Sequence, residues 1–510
     1  MKVHLLFADR EMDFKTPVPR QRAATAQDVE LESILAAMAQ DDAFVHDLAR
    51  TVLLSPLEDV AAIRYRQQVL ADCARHPEVV REVYEIANSA TRAERSEWGS
   101  FVRSPELVLD RAIRVLTQFV DHLTQLREIG RRHSAEFESP GFQGFFEELE
   151  RELNDEFFAR VRAQLEELEH RGSLLVSAQL GPGNHGARYV LRTPAATRRR
   201  WLARLFRARR GADTIEIAGP DETGHRYLSR LREMGINPVA NAVARSADHI
   251  LAYFDSLRHE LGFYLGSLAL RTQLVAKGMR TCTPDPSAPE PSELRASGLY
   301  DPALALRLGG SVVPNDLSAD GRELLIITGA NQGGKSTLLR GIGLAFLMMQ
   351  AGVFVAADHF SASVVSGVFT HFKREEDAGM RRGKLDEELQ RLSEVTLSLR
   401  THGLLLLNES FSSTNEREGS EIAREVLRAL REFGVRVVFV TFLYDLTRGL
   451  SAMHDAQVLF LRAERGPDGQ RTFRIVPGEP LTTSYGPDLY RIVFGSPVGS
   501  QTGPSERSST

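Results

Sequence analysis

Apolar residues recur at every third or fourth position from Asp28 to about Arg171, with few of the alternating runs that mark strands. That rhythm predicts helices almost throughout, hence an all-α scaffold for this half of the chain. One stripe is long: Phe142, Phe146, Leu149, Leu153, Phe157, Val161, Leu165 and Leu168 share a face that ends at Gly172, a residue suited to terminating a helix. Taken as one element of roughly thirty residues, it predicts a rod of about 45 Å. The pattern then changes to alternation over Leu174 to Leu180 and Ala187 to Arg192, parted by Gly-Pro-Gly-Asn-His-Gly, which predicts a β-hairpin. A second amphipathic helix follows, with Ile250, Phe254, Leu257, Leu261, Leu265 and Leu268 on one face. Two long helices separated by a β-containing insertion suggest a pair of levers carrying a tip.

Beyond a proline-rich run, Thr283 to Ser292, read as a linker, the periodicity changes again. Leu324 to Thr328, Leu404 to Leu407 and Val435 to Val440 are short apolar runs, and Glu416 to Phe433 between the last two is an amphipathic helix. This is the rhythm of a parallel α/β domain. From Gly495 onward the residues are small and polar, the composition of a disordered tail.

The first of those strands leads into Gly329-Ala330-Asn331-Gln332-Gly333-Gly334-Lys335-Ser336-Thr337 and an apolar helix, a complete GxxxxGK[ST] in a strand–loop–helix setting. The glycines let backbone N–H groups approach phosphates, and the helix N-terminus adds partial positive charge. Lys335 is expected to reach the β and γ oxygens of ATP, and the Ser336 hydroxyl to ligate Mg2+. The strand at Leu404 ends in Asn408 and Glu409, where P-loop ATPases place a magnesium-associated carboxylate followed by a glutamate that polarises water. Asn408 offers only a neutral amide oxygen, so Mg2+ is expected to be held more weakly and hydrolysis to be slow.

At 510 residues, 42% hydrophobic and 26% charged, the chain calls for two or three domains with sizeable cores. A net charge of −5 excludes neither DNA nor acidic partners, because a local basic stripe suffices to meet phosphates. Two distant cysteines, Cys73 and Cys282, fit a reducing, cytoplasmic setting. Met1 to Phe14 is broken by Asp9, Arg10 and Glu11 and does not read as a signal peptide, and Gly341 to Ala357 is too short for a membrane span. The 14 histidines show no zinc-ligand spacing, and no GxSxG elbow is found.

The motifs together resemble the MutS family. Val313-Pro-Asn-Asp316 and the stretch Ile326 to Thr337 are similar to the family's VPND and ITGPNMGGKST segments. The likeness continues in register through Phe369-Thr-His-Phe372, Leu385-Asp-Glu-Glu388-Leu389, Leu404 to Ser410, Gly419, Phe439 to Thr447 and Ser484-Tyr485-Gly486. More weakly, Leu54 to Leu70 looks like the opening of that family's core domain. The resemblance implies a helical core and lever region over residues 1–295 with a clamp-like insertion at about 173–240. It further implies a P-loop ATPase domain of ABC type over 296–495 and a tail over 496–510. It also implies a homodimer with ATP between two such domains, Glu409 and Lys335 in catalysis, and clamping of duplex or branched DNA. The resemblance does not extend to the family's F-x-E mismatch-reading segment, so mismatch reading is not carried over.

Several matched positions depart from the family pattern: its aspartate is Asn408, its switch histidine is Phe442, and a serine it presents across the dimer aligns with Gly383. Each departure weakens sensing of a γ-phosphate. Arg192, Arg198, Arg199, Arg200, Arg204 and Arg207 crowd the stretch beside the hairpin, where the family's clamp meets the DNA backbone. They could neutralise several phosphates without reading sequence, or form only a solvated basic face. The mixed charges from Arg374 to Arg391 read as an exposed helix. A different class of function remains open, a nucleotide-gated protein-binding scaffold with weak or no ATPase activity and no DNA binding. A transporter subunit lacks its LSGGQ-like signature, and a P-loop kinase lacks an acceptor site.

Overall fold

The computed structural model of the protein describes residues 1–14, 18–97, 105–169, 176–180, 186–191, 222–374, 383–466 and 470–480. Helices α1 (Arg20–Asp28), α2 (Leu31–Ala39), α3 (Ala43–Leu53), α4 (Val60–Arg75), α5 (Pro77–Glu97), α6 (Pro105–His133), α7 (Pro140–Glu152) and α8 (Asp155–Glu169) come first. Strands β1 (Val176–Leu180) and β2 (Gly186–Leu191) and the 55-residue helix α9 (Glu222–Ala276) follow. The rest alternates: β3 (Asp285–Ser287), β4 (Leu294–Leu299), α10 (Pro302–Arg307), β5 (Asn315–Ser318), β6 (Leu324–Thr328), α11 (Lys335–Gln350), β7 (His359–Ser363) and β8 (Val368–Phe372). It closes with α12 (Lys384–Thr396), β9 (Leu404–Asn408), α13 (Glu416–Glu432), β10 (Arg436–Val440), α14 (Tyr444–Ala452), β11 (Val458–Arg465) and β12 (Arg471–Pro477).

The chain forms two compact units, residues 1–5 with 75–261, and residues 6–74 with 262–510. Residues 6–74 are fastened to the C-terminal half: the Gln350 amide donates to the carbonyls of Leu57 and Val365, and the buried Arg66 guanidinium donates to the carbonyls of Leu6 and Ala351.

In the first unit α6 packs on α5, α7 and α8. Phe137, Phe142, Phe145 and Phe146 form an aromatic cluster, with ring centroids of Phe137 and Phe142 4.5 Å apart. The long stripe read as one rod is two helices. After Leu153 the backbone leaves the helical path, and the Asn154 side-chain oxygen accepts from the Phe157 N–H at 2.9 Å, starting α8 afresh. An asparagine favours such a cap over a helix interior, and the apolar spacing runs through the break unaltered, so periodicity alone hides it. Strands β1 and β2 pair antiparallel, with Val176 opposite Leu191 and Leu180 opposite Gly186. The arginines from Arg192 to Arg210 lie outside the described residues.

The second unit holds a six-stranded sheet in the order β12-β11-β6-β10-β9-β8 and a four-stranded sheet in the order β3-β7-β4-β5. From β11 to β8 neighbours are parallel, and β12 is antiparallel to β11. Every residue of β6 and β10 is buried, as expected of central parallel strands covered on both faces. Helix α13 begins where Asn415 accepts from the Glu418 N–H at 3.0 Å, and it turns Ala423, Leu427 and Leu430 onto the core that contains Leu405, Leu407, Val437 and Phe439. The run Thr283 to Ser292 is not a free linker, because β3 within it pairs parallel with β7. Among the described residues no helix is long and apolar enough to cross a membrane.

Candidate functional site

The loop Gly329 to Gly334 joins the C-terminal end of β6 to the first residue of α11. Gly329 has φ 110° and Gly334 φ 93°, values that a side chain resists, and Gln332 also adopts a left-handed φ of 58°. Space is equally short. A Cβ on Gly333 would lie 2.7 Å from the Ala463 Cβ, and one on Gly334 would lie 3.0 Å from the Phe473 carbonyl oxygen. The β11–β12 hairpin therefore presses on the loop from one side, and Arg471 of β12 donates to the Gln332 side-chain oxygen at 2.5 Å. The hairpin is positioned in turn by Asn315, whose side-chain oxygen accepts from the Ile475 N–H at 2.6 Å.

Lys335 is only 5% exposed. Its amine donates to the carbonyls of Gly329 (3.0 Å) and Ala330 (2.8 Å) and lies 4.3 Å from the centroid of the Phe442 ring. Burial pushes the amine down to about 8, with the Glu409 charge opposing the shift and Arg471 adding to it. Next to it, the Ser336 hydroxyl donates to the Asn408 side-chain oxygen at 2.9 Å. The hydroxyl expected to ligate a metal and the amide oxygen expected to support it weakly are thus together, one from α11 and one from the end of β9. Both are neutral donors, a set that suits a divalent cation whose charge is balanced mainly by phosphates. Asn331 is exposed, and Ala330 and Thr337 are half-buried within the same turn.

Glu409 follows Asn408 with φ 55°; its N–H donates to the Val440 carbonyl at 2.8 Å, and its own carbonyl accepts from the Ser412 hydroxyl at 2.7 Å. Phe411, also left-handed at φ 67°, donates its N–H to a Glu388 carboxylate oxygen at 2.6 Å. The segment read as an exposed charged helix therefore sends Glu388 inward, where it is 3% exposed. His371 completes the attachment, with Nε2 3.1 Å from the Glu388 carbonyl and Nδ1 2.8 Å from the Ser410 hydroxyl. A carbonyl only accepts, so Nε2 carries a proton, and the single Ser410 hydroxyl proton goes to the His371 carbonyl at 2.8 Å, with the Ser410 oxygen beside Nδ1. Burial, aided by the Arg391 and Arg374 charges and opposed by Glu388, pushes His371 down to about 4, which keeps the ring neutral. Nothing in the sequence pattern marked His371 or Arg471 as belonging to this site.

A neutral His371 makes the fold acid-sensitive. Its folded-state value lies below the ordinary 6.5, so the unfolded chain binds the extra proton between pH 6.5 and 4. Stability is expected to fall as pH drops through that window, by about 3 kcal/mol at most from this residue. Denaturant melts of wild type and His371→Gln at pH 7 and pH 4.5 check this; an equal loss in both chains would contradict it.

Gly383 caps α12 in extended backbone and is exposed, and residues 375–382 before it lie outside the described residues, as do Ser484, Tyr485 and Gly486.

A parallel sheet whose central strand opens through a glycine loop into a helix, with a lysine and a hydroxyl at the helix start, defines an α/β unit of the P-loop class. The comparisons make the family specific. Residues 58–277 match the MutS2 N-terminal domain and residues 325–494 match MutS domain V. The chain belongs to the MutS family. It is 32% identical over 187 residues to a DNA mismatch repair protein MutS 2 of Halobacterium salinarum, covering 36% of this chain and 22% of that protein. It is also 32% identical over 197 residues to a DNA mismatch repair protein MutS of Methanococcoides burtonii (38% and 22%). With an Endonuclease MutS2 of Thermus thermophilus the identity is 31% over 172 residues (33% and 23%). The matches thus span less than a quarter of each relative's length.

Proposed function

We propose that the protein binds ATP with Mg2+ at Gly329 to Thr337 and hydrolyses it slowly, using the nucleotide to control how its helical region holds duplex DNA. The observation that carries this reading is the convergence of Lys335, Ser336, Asn408 and Glu409 at one end of the parallel sheet, on a loop too crowded for side chains at Gly333 and Gly334. Lys335 and the loop N–H groups hold the phosphates, and Glu409 takes a proton from the attacking water. Ser336 would hold Mg2+, with the Asn408 oxygen supporting it only weakly through the Ser336 hydroxyl, and the ion would supply charge neutralisation at the phosphates. Residues 296–495 act as the ATPase region and pair with a second copy across the nucleotide, while residues 1–295 serve as levers with a clamp-like tip at about 173–240. Arg192, Arg198, Arg199, Arg200, Arg204 and Arg207 contact the DNA backbone. The names of the relatives, mismatch repair proteins among them, favour a role in DNA repair.

Duplex affinity tests the DNA part. Phosphate contacts release counterions, so log affinity should fall linearly with log salt concentration, and loss of Arg198, Arg199 and Arg200 together should flatten that slope by roughly two to three units. A chain that binds no duplex at low salt favours the scaffold reading, which the substitutions at Asn408, Phe442 and Gly383 support. Asn408→Asp is expected to lower the Mg2+ concentration needed for half-maximal turnover several-fold, since a carboxylate replaces a neutral oxygen beside Ser336. An unchanged Mg2+ requirement would place the cation elsewhere.

A further inference from the structure

Lys335 and Phe442 come from different elements, the first residue of α11 and the second residue after β10. An ammonium group has three protons. Two point to the carbonyls of Gly329 and Ala330, and the amine faces the Phe442 ring at 4.3 Å from its centroid, within range of a cation–π contact. The ring stands on an anchored turn: the Thr441 N–H donates to the Ile327 carbonyl at 3.2 Å, and the Leu443 N–H donates to the Thr441 hydroxyl at 3.1 Å. That turn directly follows Val440, whose carbonyl holds the Glu409 N–H. A phenyl ring attracts a cation through its face but offers no hydrogen bond to a phosphate oxygen, and the cation it faces here is Lys335.

We propose that Phe442 is a latch on the phosphate-loop lysine: its ring and the two loop carbonyls engage the Lys335 ammonium, and a triphosphate binds by competing with them for it. The inference rests on the ATP reading above and adds to it a residue that sets nucleotide affinity by competition. Phe442 is a positioning residue, acting through Lys335. Because the ring's turn adjoins the strand end that holds Glu409, release of the lysine frees a group next to the hydrolytic carboxylate.

The test is equilibrium titration of the full chain with Mg-ATP in wild type, Phe442→Leu and Phe442→Trp, with circular dichroism confirming that each variant is folded. Leucine keeps apolar volume and removes the π face, whereas indole strengthens it. Phe442→Leu should bind ATP about fivefold more tightly than wild type, and Phe442→Trp about threefold more weakly. A packing role alone would move both variants the same way. Loss or no change of affinity in a folded Phe442→Leu overturns the latch, as does tighter binding by Phe442→Trp, which stands as a test should the leucine variant not fold. A wild-type chain that binds no ATP removes the phosphate-loop reading itself, and the latch with it.

Discussion

Glu409→Gln is expected to leave ATP affinity within about twofold of wild type while turnover drops by a hundredfold or more, the usual loss when a general base is removed. The glutamine keeps the size of the side chain and the backbone bonds that hold the residue left-handed, namely its N–H to Val440 and its carbonyl from Ser412. Only the proton-accepting oxygen is lost. The Glu409 charge also supports the Lys335 ammonium, so a modest fall in affinity at alkaline pH accompanies the substitution. Single-turnover assays with bound ATP separate the two effects; turnover in Glu409→Gln equal to wild type would remove Glu409 from the reaction.

Lys335→Ala should act on binding instead, weakening Mg-ATP by about a hundredfold. The amine is buried and bonded to two carbonyls, so its removal deletes the one ammonium at the head of α11 and leaves the Gly329 and Ala330 carbonyls without that donor. Charge-assisted bonds to phosphate carry roughly twice the energy of neutral ones, which makes this the larger of the two losses in affinity. The folded state should survive, because a charged amine in a buried site is itself a cost that alanine removes. Thermal melts of Lys335→Ala near those of wild type, together with the loss of binding, distinguish a local effect from unfolding.

The loop and its strands were legible in the sequence because each level of pattern agreed there: β6 is an apolar run from Leu324 to Ile327, Gly334 precedes the helix, and α11 is uninterruptedly apolar from Gly341 to Met349. The break at Asn154 was not legible, since the apolar spacing carries across it and only a side-chain cap reveals the new helix start. Strands β11 and β12 went unread although Gly466-Pro-Asp-Gly469 lies between two alternating runs, and with them went Arg471 and the crowding that demands glycine in the loop. Strand β3 was masked by Pro286 within it and the prolines around it, and a short edge strand tolerates such a residue. His371, Ser410 and Glu388 are 17 to 39 residues apart in the chain, and their meeting is a consequence of tertiary packing. Phe442 could be named from its place in a motif, but its distance from Lys335 is set by how β10 and β6 pair.

Equilibrium titration of the intact chain with Mg-ATP, beside Lys335→Ala, bears most directly on the assignment of the loop that follows Thr328. Saturable uptake of about one nucleotide per chain in wild type, lost or displaced about a hundredfold in the variant, is the predicted result. Identical curves for the two chains, or no uptake by the wild type, would contradict it.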